Sequence, residues 1–580
     1  MTLQRISGRR TALTLLVVFL VAGFLLTRLV DVQVVRAAEL QDQSESVRTT
    51  TETIWASRGP IVDQFGNELA VDVDRYDVSV DPRMVGDFRR SGEVVTLGVA
   101  ISEIATITGG EYDQMLETAL EDPTAHFVYL VKGVTPEQRQ QLRELQIPWL
   151  QMDLVRQRVY PFGPVAGNLT GMLGIDEPLA GAERLYDECL RAVNGSSVYQ
   201  KGADGVRLPG TTVKVEEPIH GGEVTLTIDS DLQWYVLQQL AEHGTRLQAE
   251  YGSAMVVRVS DGNILAAVDW PTFDPNDFEN TPTQFMGARV FSSPYEPGST
   301  MKSIGIAMLL DAGLTTPDEG IVAPGTYQLS SDHYIKNMSV SDARQLTTAG
   351  VLHTSSNTGI SVLASRMGKT QAHGYFSKFG FGSETAVGFL GESAGTLKSP
   401  DNVDTVTRFT QFFGQGISVT SAQMAGAYQA LANDGVRLPL RLISGCTTAE
   451  GGFVPAPTEE PVSVVSAQAA KDTVNILETN VAQGPLRGIL EIPGYRVAAK
   501  TGTAEIANAS GYGGERVISL TGMAPAENPE YVVLVSFYKP QVSKVSSAAA
   551  PAFAEVMSHV LKHYRVAPSS EPAVLPPLTW

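Results

Sequence analysis

The hydrophobic pattern opens with one long apolar segment near the N-terminus. Residues 11–27 carry no charge, and arginines flank the segment on both sides. A helix of this length spans about 26 Å, close to the thickness of a hydrocarbon core. No small-residue cleavage site directly follows it, which favours an uncleaved anchor over a cleaved signal peptide. Because positive residues stay inside, we expect a cytoplasmic tail over residues 1–10 and a transmembrane anchor over residues 11–30.

Between the anchor and residue 215, short strand-like runs are mixed with polar stretches that have helical spacing. Residues 76–80 alternate between polar and apolar side chains, whereas residues 136–145 are typical of a polar helix. Glycine and proline become frequent over residues 209–222, which indicates a domain boundary. The pattern predicts an elongated, non-catalytic α/β module over residues 31–215.

The rest of the chain has the pattern of a sheet flanked by helices. Residues 253–268 form two apolar runs joined by a Ser-Asp-Gly-Asn turn, which predicts an antiparallel hairpin. Further strands and two apolar helices are expected at residues 224–228, 496–499, 517–522 and 531–538, and at residues 303–312 and 421–433. We expect an α+β domain over residues 220–565 and a flexible tail, rich in Pro and Ser, over residues 566–580.

Composition and charge narrow the range of functions. A chain of 580 residues is expected to fold into two or three units, and its hydrophobic fraction of 43% is typical of a globular protein. The formal net charge of -20 argues against sequence-independent binding to nucleic acid, which needs clustered Lys and Arg. Cys189 and Cys446 lie outside any spacing typical of a zinc or thioredoxin-like site, and two unrelated buried thiols are favoured over a disulfide.

One segment combines a serine and a lysine in the arrangement of a nucleophile and its base. Ser299 and Lys302 follow the break Pro297-Gly298 at the start of an apolar helical run, so they lie one turn apart. A serine hydroxyl is a weak nucleophile at neutral pH, and a deprotonated Lys302 supplies the base that it needs. Burial and a second cation lower a lysine pKa, and Lys500 is the candidate cation. Alone, this spacing is common on helix surfaces.

Two later motifs turn this pair into a predicted active site. Ser355 and Asn357 form a Ser-x-Asn motif, and residues 500–503 read Lys-Thr-Gly-Thr at the end of a short apolar strand. With Ser-x-x-Lys, and in this order, they resemble the serine penicillin-recognising enzymes, in which the three motifs line one cleft. Ser-x-x-Lys alone is common, but together with the other two motifs it predicts acyl transfer.

The resemblance implies one catalytic and one substrate-binding group of residues, and neither a metal nor a cofactor. The catalytic group is Ser299, Lys302, Ser355, Asn357 and Lys500. The substrate-binding group is Thr501, Gly502 and Thr503. By resemblance Ser355 relays protons to the leaving amine and Asn357 holds the substrate backbone. Lys500 and Thr501 hold the terminal carboxylate, Gly502 lets the strand approach the peptide, and backbone N–H groups at positions 299 and 503 form an oxyanion hole.

Motifs near the anchor resemble one branch of that superfamily. Residues 58–63, which read Arg-Gly-Pro-Ile-Val-Asp, are similar to the first signature of class B penicillin-binding proteins. Further matches include residues 226–229 and 414–420, and residues 28–33 resemble the division-specific transpeptidases of actinobacteria. The resemblance implies that the module over residues 31–215 is a dimerisation-type pedestal and that the domain after it is a transpeptidase.

The resemblance also implies a function, partners and a location. The expected protein cross-links peptidoglycan stem peptides through a Ser299 acyl-enzyme in septal wall synthesis, and β-lactams inhibit it covalently. Expected partners are the membrane, a SEDS-family glycan polymerase and divisome proteins, with the catalytic domain on the outer face of the plasma membrane at the division septum. A D,D-carboxypeptidase or β-lactamase-like hydrolase and a penicillin-binding divisome scaffold remain alternatives. The large module between anchor and cleft favours the transpeptidase.

Overall fold

The computed structural model describes residues 8–40, 49–175, 177–202, 208–338, 342–508 and 511–580. The chain divides into two compact units. One unit comprises Met1–Ser57 and Ala192–His220, and the other comprises Arg58–Arg191 and Gly221–Trp580. The second unit contains every residue of the predicted active site.

The first unit contains an apolar helix and a small antiparallel sheet. Gly8–Val30 is an α-helix of 23 residues, and Asp31–Val35 continues it as a π-helical turn. The segment has a mean hydropathy of 2.5 in its most apolar window, so it is long and apolar enough to cross a membrane. The strands of the sheet are Thr49–Ile54, Gly195–Gln200 and Val213–Glu216. The helix lies where the sequence predicts the anchor.

A seven-stranded sheet joins the predicted pedestal to the start of the predicted transpeptidase domain. Its strands are Ile61–Val62, Glu68–Val80, Val128–Val134, Leu150–Val159, Glu223–Leu226, Ile443–Thr447 and Phe453–Pro455. Val224 pairs in parallel with Ile61 on one side and antiparallel with Cys446 on the other. The strand after the predicted boundary therefore shares hydrogen bonds with residues of both predicted domains.

Three helices of the pedestal and the strands next to them share a separate apolar core, whereas the short elements over residues 163–190 pack into the cores of the catalytic domain. The longer helices are Leu97–Thr108, Tyr112–Leu120 and Pro136–Glu144. The shorter elements are Phe88–Arg90, Glu93–Val95, Gly163–Val165, Gly167–Thr170, Gly181–Leu185 and Asp187–Leu190. Thr135 and Gln138 form a capping box at the start of the third helix, which fixes its first turn. Val78, Ile101 and Trp149 belong to the core, and the predicted α/β module is confirmed.

A five-stranded antiparallel sheet forms the centre of the second unit. In spatial order its strands are Ile264–Trp270, Tyr251–Arg258, Tyr531–Tyr538, Gly511–Ala524 and Ala498–Asn508. Side chains alternate along a strand, so Ala254 and Val256 lie in one core while Met255 and Val257 lie in the other. Helices cover both faces: Ser230–Leu247 and Ala550–His563 on one side, and Met301–Asp311, Ser421–Ala432 and Ala467–Ala482 on the other. The predicted α+β class is confirmed.

Shorter elements surround this central layer. The helical ones are Pro275–Asn280, Thr283–Phe285, Arg289–Ser292, Gly298–Thr300, Thr348–His353, Asn357–Ala364, Lys369–Lys378, Thr407–Thr410, Gln411–Phe413, Arg487–Leu490 and Ser546–Ala549. The strands are Gly320–Ala323, Thr326–Gln328, Tyr334–Lys336, Arg344–Thr347, Val436–Arg437 and Val462–Ser463. Two of these elements, Gly298–Thr300 and Thr348–His353, lead directly into predicted catalytic residues.

The strand that carries the third motif is longer than the sequence pattern predicts. The prediction ends at residue 499, whereas the strand Ala498–Asn508 runs through the whole Lys-Thr-Gly-Thr motif. Gly502 pairs with Ser519 and Thr503 with Ile518. Ladder hydrogen bonds to a neighbouring strand override the low strand propensity of glycine.

The interpretation of Cys189 and Cys446 as unrelated thiols is wrong, because they form a disulfide with a Cα–Cα distance of 6.3 Å. The amide of Gly222 donates to the carbonyl oxygen of Cys189 at 2.8 Å, and Val224 pairs with Cys446. Sheet pairing thus brings together two cysteines that are 257 residues apart. A separation of that size gives no local signal.

The segment predicted as a flexible tail makes specific contacts. The amide of Arg496 donates to Ser569 Oγ at 2.9 Å, and the indole of Trp580 donates to the carbonyl oxygen of Ile321 at 3.1 Å. Proline prevents regular structure here, but the side chains of an extended segment still form hydrogen bonds. Composition alone therefore misses this contact.

Candidate active site

Ser299 lies on a tight turn that runs into a buried helix. It is the middle residue of the 3-10 turn Gly298–Thr300, and the helix Met301–Asp311 follows directly. Gly298 has a φ of +58°, and a Cβ atom there would lie 2.4 Å from the carbonyl oxygen of Thr503. Only glycine fits both constraints. The turn is therefore held against the strand that carries the third motif.

Lys302 connects the first two motifs through four contacts. Its Nζ atom lies 3.0 Å from Ser299 Oγ and 3.1 Å from Ser355 Oγ. It donates to the backbone oxygen of Ser355 at 2.7 Å and to Asn357 Oδ1 at 2.7 Å. These two oxygens only accept, so a neutral amine spends both N–H groups on them. Its lone pair then faces the hydroxyl groups, where it can accept the Ser299 proton.

The surroundings of Lys302 favour that neutral amine. Its side chain is only 1% exposed. Desolvation, and then the positive charge of Lys500, lower the pKa of Lys302 well below its ordinary value of 10.5. Burial also lowers the pKa of Lys500 to about 8. The neutral amine of Lys302 can therefore act as a general base for the hydroxyl of Ser299.

Ser355 occupies an unusual backbone conformation just after the helix Thr348–His353. Its φ of +54° lies in the left-handed region, which costs a residue with a side chain about 1–3 kcal/mol. In that conformation its carbonyl oxygen and its hydroxyl both reach Lys302, and the hydroxyl donates to Ser299 Oγ at 3.0 Å. The bond from Lys302 to its carbonyl oxygen and the bond from its hydroxyl to Ser299 explain why the strained turn persists.

Asn357 holds Lys302 rather than pointing free into the cleft. Its Oδ1 accepts from Lys302, and its Nδ2 donates to the carbonyl oxygen of Lys336 at 3.2 Å. Both ends of the amide therefore have partners within the protein. The amide still has a second N–H and a second lone pair, so the predicted contact with substrate backbone remains compatible with both bonds.

The third motif lies on the outermost strand of the five-stranded sheet, Ala498–Asn508. An edge strand can pair with an added peptide strand. A Cβ atom on Gly502 would lie 2.5 Å from Ser519 Oγ and 2.7 Å from the carbonyl oxygen of Pro297. Glycine is thus needed for packing against the serine turn, a reason that differs from the predicted one. Lys500 Nζ donates to the backbone oxygen of Thr501 at 3.2 Å.

The motifs meet at a cleft with a volume of about 320 Å³. Five predicted residues line it: Ser299, Ser355, Asn357, Thr501 and Thr503. Lys302 and Lys500 lie buried behind its wall. Arg344 and Arg516 also line the cleft and add positive charge within a strongly acidic chain. Across the residues that the structure describes, no group of three or more His, Cys, Asp and Glu side chains is placed to hold a metal ion.

Sequence reasoning missed two residues that support the motifs. Asn337 Oδ1 accepts from the backbone amides of Asn357 at 2.7 Å and Thr358 at 3.2 Å. These bonds fix the start of the helix Asn357–Ala364. The buried hydroxyl of Tyr428 donates to the carbonyl oxygen of Thr300 at 3.0 Å. Both residues act from distant positions in the chain. No spacing in the sequence links them to the motifs.

Comparison with known proteins identifies two domain families in the chain. Residues 252–558 match the penicillin binding protein transpeptidase domain. Residues 53–177 match the penicillin-binding protein dimerisation domain. The two matches lie in the same order as the predicted pedestal and catalytic domain.

Relatives extend the similarity over nearly the whole chain. It is 32% identical to penicillin-binding protein PbpB of Mycobacterium tuberculosis, over 97% of this chain and 85% of that protein. It is 29% identical to peptidoglycan D,D-transpeptidase FtsI of Escherichia coli K12, over 95% of this chain and 91% of that protein. The crystal structure of penicillin binding protein 3 from Mycobacterium tuberculosis, complexed with aztreonam, matches at a TM-score of 0.69 and 28% identity, over 91% of this chain and 100% of that chain. This chain belongs to the penicillin-binding proteins in which a dimerisation domain precedes a transpeptidase domain.

Proposed function

We propose that this protein is a peptidoglycan D,D-transpeptidase whose nucleophile is Ser299. One observation carries the proposal: the buried amine of Lys302 lies 3.0 Å from Ser299 Oγ while both its N–H groups have acceptors. A base in this position activates a serine for acyl transfer. Membership of the transpeptidase family supplies the class of substrate, a peptidoglycan stem peptide.

Acylation follows from the contacts around Lys302. Ser299 Oγ attacks the carbonyl carbon of the penultimate D-Ala of a donor peptide, and Lys302 takes the hydroxyl proton. We assign the stabilisation of the resulting oxyanion to the backbone N–H groups of Ser299 and Thr503, each worth about 3 kcal/mol. The C–N bond then breaks, and the proton passes from Lys302 through Ser355 to the departing D-Ala. An ester remains on Ser299.

Transfer repeats these steps in reverse with a different amine. An amine of a neighbouring stem peptide attacks the ester, and its proton returns through Lys302 to Ser299 Oγ as the C–O bond breaks. A new amide replaces the old one, so the reaction needs no nucleotide. Lys500 and Thr501 are assigned to the donor carboxylate, and the edge strand Ala498–Asn508 pairs with the peptide backbone.

We further propose that the catalytic domain lies on the outer face of the plasma membrane, at the division septum. The apolar helix Gly8–Val30 would be the single-pass anchor. The disulfide between Cys189 and Cys446 supports an extracytoplasmic location, because disulfides persist in oxidising compartments. The similarity to FtsI supports the septal assignment.

A glycan polymerase of the SEDS family and other divisome proteins are the proposed partners, with the anchor and the pedestal as the contact region. The chain matches a dimerisation and a transpeptidase domain, and glycan strands must be polymerised before they are cross-linked. Co-purification of the full chain from membranes, compared with a chain whose anchor is replaced by an unrelated helix, tests this partnership. Absence of a polymerase from both preparations would count against it.

Product analysis tests the reaction itself. The full chain in detergent is given a labelled donor pentapeptide and an amine acceptor, and the products are separated by mass. The proposal predicts an amide between donor and acceptor together with released D-Ala, and no product with Ser299→Ala. A tetrapeptide acid as the only product would identify a carboxypeptidase, and no turnover would favour the scaffold.

A further inference from the structure

The last four residues lie beside a helix that leads to the active site. After the helix Ala550–His563 the chain passes Gly494, whose carbonyl oxygen accepts from the amide of Ser569 at 2.8 Å. It then reaches the small sheet formed by Gly320–Ala323 and Arg344–Thr347. We call residues 577–580 the C-terminal strap.

Three hydrogen bonds fasten the strap to this sheet. The amide of Thr347 donates to the carbonyl oxygen of Leu578 at 3.1 Å, and its hydroxyl donates to the carbonyl oxygen of Pro577 at 2.5 Å. The indole of Trp580 donates to the carbonyl oxygen of Ile321 at 3.1 Å. The strap thus contacts both strands of the sheet.

Thr347 transmits this contact to a catalytic motif. It is the N-cap of the helix Thr348–His353, and its Oγ1 accepts from the amide of Gly350 at 3.0 Å. At the other end of the helix the amide of Ser355 donates to the carbonyl oxygen of Leu352 at 3.2 Å. One continuous hydrogen-bonded segment therefore joins the strap to the strained serine that contacts Lys302.

Two glycines show how closely the strap packs. A Cβ atom on Gly350 would lie 1.9 Å from the carbonyl oxygen of Leu578, and one on Gly320 would lie 2.5 Å from Cγ of Trp580. Neither glycine has a positive φ. Alanine is a better helix former than glycine. At position 350 the small residue is therefore explained by the strap and not by the backbone.

We propose that the C-terminal strap is a positioning element that holds the helix Thr348–His353, and through it Ser355, in the arrangement that acylation requires. The inference rests on the proposed function, since it assigns a role within the same site. Ser355 keeps its left-handed backbone only because surrounding contacts fix it. Loss of the strap removes two hydrogen bonds from Thr347, which is the N-cap of the helix that leads to Ser355.

The first test removes residues 577–580 from the full chain and follows acylation by a fluorescent penicillin in detergent. Small displacements of a catalytic group cost up to about a hundredfold in rate, so we expect the rate at saturating penicillin to fall roughly tenfold to a hundredfold. The dissociation constant of the complex before acylation should change much less, because Thr501 and Thr503 remain in place. Val574→Ala is the matched control, since that side chain is 82% exposed.

The second test uses Gly350→Ala in both backgrounds. In the full chain the added Cβ displaces Leu578, so acylation should slow as it does without the strap. In the shortened chain the obstacle is gone, and the same substitution should cause no further loss. If the shortened chain fails to fold, the acylation rates of Trp580→Ala and Trp580→Phe are compared instead. Both substitutions remove the indole N–H, but only alanine removes the ring that packs on Gly320.

The outcomes separate this inference from the proposed function. A parent chain that takes up no penicillin would overturn the proposed function, and this inference with it. If penicillin labels the parent and the shortened chain reacts at the same saturating rate, that result would overturn only the positioning role of the strap. So would an equal effect of Gly350→Ala in both backgrounds, because the substitution would then act through the helix itself.

Discussion

At the scale of single residues, the ionisation of Lys302 decides when Ser299 reacts. A protonated amine cannot accept the serine proton, so acylation should fall as the pH falls through the pKa of Lys302. Desolvation and Lys500 lower that pKa from its ordinary value of 10.5. The acid limb of the pH–rate profile should therefore lie at a pH well below the pKa of an exposed lysine.

A substitution at position 500 tests this assignment. Lys500→Ala removes a positive charge and admits water, and both changes raise the pKa of Lys302. We expect the acid limb to move to higher pH, whereas Lys500→Arg should leave it nearly in place. The measurement is the pH dependence of the acylation rate at saturating penicillin. An acid limb that stays unmoved in Lys500→Ala would contradict the electrostatic role.

Sequence spacing predicts the residues that act through local geometry and misses those that act across the fold. Ser299 and Lys302 lie one helical turn apart, so their contact follows from the sequence. Asn337 and Tyr428 reach the same site from other elements, and only tertiary packing places them there. The left-handed backbone of Ser355 is equally hidden in the sequence, because it is held by a bond from the distant Lys302 and by a bond to Ser299.

At the scale of elements, the contact between the edge strand Ala498–Asn508 and the serine turn depends on Gly502. We expect Gly502→Ala to slow acylation roughly tenfold or more, because a Cβ atom would lie 2.7 Å from the backbone oxygen of Pro297. Gly374→Ala is a matched control, since nothing lies within 4 Å of its Cβ position. The rate of penicillin acylation measures both. Equal rates for the two variants would show that the close packing is dispensable.

The same elements show where a pattern succeeds and where it fails. The hairpin predicted at residues 253–268 is confirmed by Tyr251–Arg258 and Ile264–Trp270, because alternation and turn chemistry are local. The strand predicted at residues 496–499 is much longer, because its pairing with Gly511–Ala524 continues through polar and glycine positions. Periodicity finds apolar stretches of a strand but not its ends.

At the scale of the whole molecule, the disulfide links the helix Asp187–Leu190 of the pedestal to the strand Ile443–Thr447 of the seven-stranded sheet. It closes a separation of 257 residues. Its removal by Cys189→Ser with Cys446→Ser should lower the free energy of unfolding by about 2–4 kcal/mol and leave the acylation rate of the folded protein nearly unchanged.

Denaturant unfolding of the parent and of the double variant measures this loss. The parent with its disulfide reduced should match the double variant. Identical midpoints for all three proteins would show that the cross-link contributes no stability. Neither cysteine has a local sequence signal for pairing, which is why the sequence favours free thiols.

The central claim is that Ser299 is an acylated nucleophile activated by Lys302, and intact-protein mass after incubation with penicillin tests it most directly. Opening of the β-lactam ring adds the whole antibiotic to the serine without a leaving group. We expect one lasting adduct on the parent and none on Ser299→Ala or Lys302→Ala. An adduct on Ser299→Ala, or a folded parent that gains no mass, would contradict the account.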